Sequence, residues 1–116
     1  MFDLSTKEVQ DALQQSNQKV YISCVGEGGF PNVSVRKVNV INANELEYTD
    51  NEHSRTVQLM MNSPHVLINV LNPEDPFHGH KFKGKATFQP VDANADSEES
   101  YKPVKVTIRV TEGFPY

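Results

Sequence analysis

Three consecutive runs decide the fold: KVYISCV at 19–25, GEGG at 26–29 and NVSVRKVNVI at 32–41. The first is rich in β-branched and aromatic residues, the second is a glycine turn, and the third resumes a strand, so together they predict a β-hairpin. The third run holds an irregularity. Val33 and Val35 share one face, whereas Val38 and Val40 fall on the opposite parity, so the hydrophobic phase slips at Arg36–Lys37. A β-bulge at that point restores one continuous inner face and re-aims the two cations. The alternative is a strand buried on both faces, with Arg36 and Lys37 reaching past its edge to water.

Working outward, the chain upstream reads as one helix. Ser5 and Glu8 have the spacing of a capping box, Leu4 and Val9 that of a hydrophobic staple, and Ala12 and Leu13 extend the apolar stripe to an end near Ser16–Asn17. Downstream, NANE turns into the strand ELEYT with Leu46 and Tyr48 inward. DNEHSRTVQLMMNSP is a loop and a short helix, with Ser54 as N-cap, Val57, Met60 and Met61 as the apolar face, and Pro64 as the stop. In HVLINVL, Val66, Ile68 and Val70 occupy one face and Leu67 and Leu71 the other, so the strand is covered on both sides. The simplest second cover is another subunit. NPEDPFHG reads as a loop. HKFKGKATFQ alternates, with Phe82, Gly84, Ala86 and Phe88 opposite Lys81, Lys83, Lys85 and Thr87. A polar turn, VDANADSEES, precedes the last strand, VKVTIRV. The inventory is mainly β: an N-terminal helix, a short helix after the third strand, and six antiparallel strands. A split or closed barrel removes the edges of such a sheet.

The 116 residues form a single domain, 1–116. The net charge of −4 argues against a general nucleic-acid binder, whose affinity needs clustered Lys and Arg. No apolar run approaches the roughly 20 residues that cross a bilayer, and MFDLSTKE lacks the form of a secretory signal. With one cysteine, Cys24, and hence no intramolecular disulfide, the expected compartment is the cytoplasm.

The words GFPNVSVRK at 29–37, LEYTDNEHSRT at 46–56, NSPHVLINV at 62–70 and FKGKA at 82–86 occur in an order that resembles the pyridoxamine 5′-phosphate oxidase-like FMN-binding split barrels. They resemble that family's Gly-x-Pro-x-x-Ser run, its Ser-x-Lys/Arg-Thr phosphate loop, here the contiguous Ser54-Arg55-Thr56, leading to Asn-x-Pro, and its Lys/Arg-Gly-x-Ala strand. Many members carry a further helix where residues 90–101 stand here, so the likeness is to the minimal FMN-binding members. The resemblance implies a homodimer with FMN at the subunit interface. It places cofactor contacts on Ser34, Val35, Arg36 and Lys37, on Tyr48 and Thr49, on Ser54, Arg55 and Thr56, and on Lys83.

The chemistry of those residues suits the implied ligand. A phosphate dianion needs several donors, preferably beside a helix N-terminus. Ser54, Arg55 and Thr56 supply two hydroxyls and a guanidinium, with Ser34 and Arg36 on the other side. Equally, Ser54 is a plain helix cap with Arg55 in solvent, Tyr48 is core, and the alternating lysines around Lys83 solubilise an outer face. His78 and His80 share a face, but two ligands without a third give no metal site. No catalytic residue is assigned, since no nucleophile–base pair, P-loop or GxGxxG stands in the sequence. The expectation is an FMN-dependent oxidoreductase or small electron carrier. A non-redox module on the same barrel, for haem, a deazaflavin or a nucleotide, is the alternative.

Overall fold

The computed structural model describes residues 3–91 and 101–116. The polar turn expected at 91–100 falls, beyond Val91, outside the described residues.

Nine elements follow in order: α1 (Lys7–Gln15), β1 (Lys19–Cys24), β2 (Asn32–Lys37), β3 (Asn39–Asn42), β4 (Glu45–Asn51), α2 (Arg55–Asn62), β5 (His65–Asn72), β6 (Asp75–Pro90) and β7 (Pro103–Pro115). The strands form one antiparallel sheet in the order β2-β1-β5-β6-β7-β4-β3. Among the described residues there are seven strands where the sequence predicts six. The stretch read as one strand, 32–41, is divided at Val38 into β2 and β3, which lie on opposite edges of the sheet. A single residue joins those edges, so the sheet must curl until they meet there. The Val38 amide donates to the Gln18 carbonyl at 2.8 Å, which fixes the crossing point.

The bulge expected at Arg36–Lys37 is absent. β1 and β2 pair without interruption from Lys19 opposite Lys37 to Cys24 opposite Asn32. Asn32, Ser34 and Arg36 face inward and run in phase with Val38 and Val40, while Val33 and Val35 face out, 59% and 49% exposed. There is no slip to repair. Hydrophobicity alone places the apolar pair inward, whereas the inner side of this edge strand is polar.

Elsewhere alternation locates the core. Val20, Ile22 and Cys24 of β1, Val66, Ile68 and Val70 of β5, Phe82 and Ala86 of β6, Val104, Val106, Ile108 and Val110 of β7, and Leu46 and Tyr48 of β4 are buried together. α1 covers this core with Val9, Ala12 and Leu13, and Leu4 packs beside them. The helix begins one residue later than its capping box predicts. Thr6 is the N-cap, and its hydroxyl accepts from the Asp3 amide at 3.0 Å, while the Asp3 carboxylate engages Ser5. α2 is capped as expected, the Ser54 hydroxyl accepting from the Val57 amide at 3.2 Å. Its buried face is Val57, Leu59 and Met60, whereas Met61 points to solvent.

Residues 72–79 also differ from their reading as a loop. β6 begins at Asp75 and forms a hairpin with β5. A real bulge lies farther on, where Lys83 pairs with Glu112 but Gly84 with Val110, leaving Thr111 extra on β7. Gly84 is required at that crossing, because a Cβ would stand 2.7 Å from Ile108 Cγ2 and 2.9 Å from the Arg109 carbonyl oxygen.

Candidate functional site

The bulge positions a groove. Its walls are the β1–β2 turn (Val25, Gly26, Gly29, Phe30, Pro31), the outer side of β5 (His65, Leu67) and the Lys83–Lys85 stretch with Thr111. Its volume is about 720 Å³, within the roughly 300–1,000 Å³ typical of small-molecule sites. The floor is largely apolar, with cations at one wall. Lys83 lines the groove and pairs with Glu112 at 3.4 Å.

A second cleft of about 410 Å³ adjoins it, sharing Val25 and Gly26 as a common wall. Arg55, at the first turn of α2, lines this cleft together with His53 and Gln58. Its guanidinium lies 3.5 Å from the Glu27 carboxylate, both groups being solvent-exposed. Of the three residues of the expected phosphate loop, only Arg55 opens onto the cleft. The Ser54 hydroxyl is held in the cap, and Thr56 is buried, accepting from Asn32 Nδ2 at 3.2 Å. Successive helical residues project about 100° apart, so one helix start cannot aim all three side chains at one anion.

Ser34, Arg36 and Tyr48 all lie on the inside of the curled sheet, where Arg36 of β2 reaches Asp50 of β4. Arg36 Nε donates to Asp50 at 3.0 Å, and its Nη1 donates to the Val35 carbonyl at 2.9 Å. The hydroxyls of Ser34 and Tyr48 are buried without a hydrogen-bond partner. Burial pushes the Tyr48 phenol well above its ordinary range, and the nearby Asp50 carboxylate adds to the shift while Arg36 opposes it. This inner side is therefore polar but closed by its own ion pair. Arg36→Gln is expected to cost about 1–3 kcal/mol, since it strands a carboxylate that is only 13% exposed. A double-mutant cycle with Asp50→Asn, read by urea unfolding, should give a coupling of about 0.5–3 kcal/mol. Additive losses would mean that the two side chains do not pair.

Lys37 and Thr49 line an adjoining cavity of about 370 Å³ with Gln18, Glu47 and Lys105, which Tyr48 also borders. Val35 is on the outer face of β2, opposite Tyr21 of β1. Within one chain the expected cofactor residues thus divide among the groove and its cleft (Arg55, Lys83), the inner side of the curled sheet (Ser34, Arg36, Tyr48, and Thr56 against Asn32), the third cavity (Lys37, Thr49, with Tyr48 on its border), the outer face (Val35) and the α2 cap (Ser54). Sequence reasoning missed His65, Lys85, Phe30 and Thr111 as groove residues. The glycine turn before Phe30 was a usable signal for that residue. For Thr111 there was none, because the alternation of β7 does not mark its bulge.

Among the described residues no three His, Cys, Asp or Glu side chains converge. His78 Nδ1 pairs with Asp75 at 2.6 Å, and burial holds the His80 imidazole below its ordinary pKa against the pull of Glu8. No helix among the described residues is long and apolar enough to cross a membrane.

No protein-family model and no curated protein sequence matches the chain. Solved structures do. The HupZ protein of Group A Streptococcus superposes with a TM-score of 0.73 at 21% identity, over 95% of this chain and 92% of that one. A pyridoxamine 5′-phosphate oxidase-related, FMN-binding protein of Nostoc punctiforme gives 0.72 at 9% identity, over 92% and 80%. An F420 reductase gives 0.69 at 14% identity, over 84% and 90%. At these identities the likeness is one of fold.

Proposed function

We propose, from the fold that this chain shares with the pyridoxamine 5′-phosphate oxidase-related proteins, that it is a homodimeric FMN-binding flavoprotein, acting as an oxidoreductase or small electron carrier. The observation that carries the reading is the joining of the 720 Å³ groove to the Arg55 cleft through Val25 and Gly26. That arrangement pairs a long, mostly apolar slot for a planar ring with a guanidinium at one end for a phosphate. The donor set fits FMN: Arg55 for the dianion, Lys83, Lys85 and His65 along the wall for carbonyl edges.

Bound flavin supplies one- and two-electron transfer, with hydride acceptance at its ring. The chain's own residues orient that ring and exclude water. Leu67 and Val25 provide apolar wall, and Lys83 brings an ammonium to the ring's edge. A second copy suits the outer sheet face, where Val33 and Leu67 flank Ser23 and where Val35 pairs with Tyr21. Val33, Val35 and Tyr21 are exposed hydrophobics there, and burying them favours association. Contacts from Val35, Lys37 or Thr49 to the cofactor then come across the dimer rather than within one chain. A deazaflavin in the same groove is the second reading, favoured by the likeness to an F420 reductase.

The purified protein should take up FMN and show flavin absorbance. Heat denaturation should release a compound of FMN's mass, and light scattering should report about 26 kDa, twice the 13.1 kDa chain. A released deazaflavin selects the second reading. A monomer that takes up no flavin rejects both.

A further inference from the structure

The β1–β2 turn holds a large aromatic side chain where a folded domain alone gains nothing from it. Phe30 is 77% exposed and lines the rim of the groove. Its backbone is tightly constrained. The Phe30 amide donates to the Glu27 carbonyl at 3.1 Å, and Gly28 and Gly29 both adopt positive φ, 63° and 82°. A Cβ on Gly26 would fall 2.1 Å from the Phe30 carbonyl oxygen, so only glycine allows the turn to close on itself. Pro31 fixes the exit of the turn into β2. The turn thus holds the Phe30 backbone in place beside an apolar slot, so that binding need order only the side chain.

We infer that Phe30 is the aromatic cover of this groove and stacks on the planar ring of the bound ligand. This rests on the flavin reading above. The stack selects for a π face, so it serves flavin and deazaflavin alike and is indifferent to the phosphate, which belongs to Arg55. Phe30 is thereby a ring-specific binding residue, energetically separable from the anion-specific one.

The test uses Phe30→Ala and Phe30→Trp in the full-length protein, titrated with FMN and with riboflavin while dimer mass is followed. Phe30→Ala should weaken both ligands about equally, roughly tenfold or 1.4 kcal/mol, with the dimer intact and flavin fluorescence less quenched. Phe30→Trp should restore affinity and quenching. Unchanged affinity and quenching in Phe30→Ala would overturn the inference while leaving the flavin reading intact. So would dissociation of the dimer with flavin affinity preserved, which would make Phe30 a subunit contact. Failure of the parent protein to bind either flavin would overturn the underlying reading and this inference with it.

Discussion

Phe82→Ala is expected to lower folding stability by about 3–5 kcal/mol, the cost typical of deleting a fully buried aromatic ring. Phe82 heads the fully buried side chains by volume and is wholly inaccessible. It sits on β6, opposite Ile68 of β5 and Gly113 of β7, so both neighbouring strands contact the cavity its loss would leave. The next inner positions along β6 are Gly84 and Ala86. Neither has atoms to move into the void, and Gly84 is already pressed against β7. Against a total stability of about 5–15 kcal/mol for a domain, the loss is large. It should appear in urea unfolding as a lower midpoint at an unchanged slope. Phe77→Ala is the control, because that ring is 84% exposed on the same strand and should cost no more than about 0.5 kcal/mol. Equal effects of the two changes would mean that the inner face of β6 is misplaced.

The same strand illustrates what local pattern could give. HKFKGKATFQ alternates because its two faces meet different media, and HVLINVL does so beside it; both readings of the inner face agree with the buried residues. Ser54 was legible as a cap because capping depends on the next three residues alone. NVSVRKVNVI misled for the opposite reason. Its inner neighbours, Asp50 and Thr56, lie 14 and 24 residues away in sequence from the Arg36 and Asn32 they respectively engage, and no window along the chain reports a polar interior. NPEDPFHG failed similarly. Gly79 is held in the sheet by reciprocal backbone bonds with Tyr116, at 3.1 and 3.0 Å, which a reading of prolines and turn residues cannot foresee. The candidate site was legible at Arg55 and Lys83, whose words are local. The groove between them depends on the Thr111 bulge and on strand order, which only the assembled sheet defines.

Arg55→Ala is expected to weaken FMN binding about tenfold to a hundredfold while leaving riboflavin binding unchanged. The magnitude follows from removing one charge-assisted hydrogen bond to a phosphate, about 1.5–3 kcal/mol. Folding should be unaffected within about 0.5 kcal/mol, because the one ion pair lost, to Glu27, is exposed at 3.5 Å and such pairs contribute little. That pair has a second consequence. Glu27 and a ligand phosphate compete for the same guanidinium, so Glu27→Gln should tighten FMN severalfold, through Arg55, and have no effect in the Arg55→Ala background. Raising the salt concentration should weaken FMN more than riboflavin in the parent protein, and that difference should shrink in Arg55→Ala. Paired titrations of FMN and riboflavin at two ionic strengths measure all of these effects. Equal loss of both ligands in Arg55→Ala would make the residue a ring contact. No loss of either would move the phosphate to another cation, with Arg36, released from Asp50, the next to test.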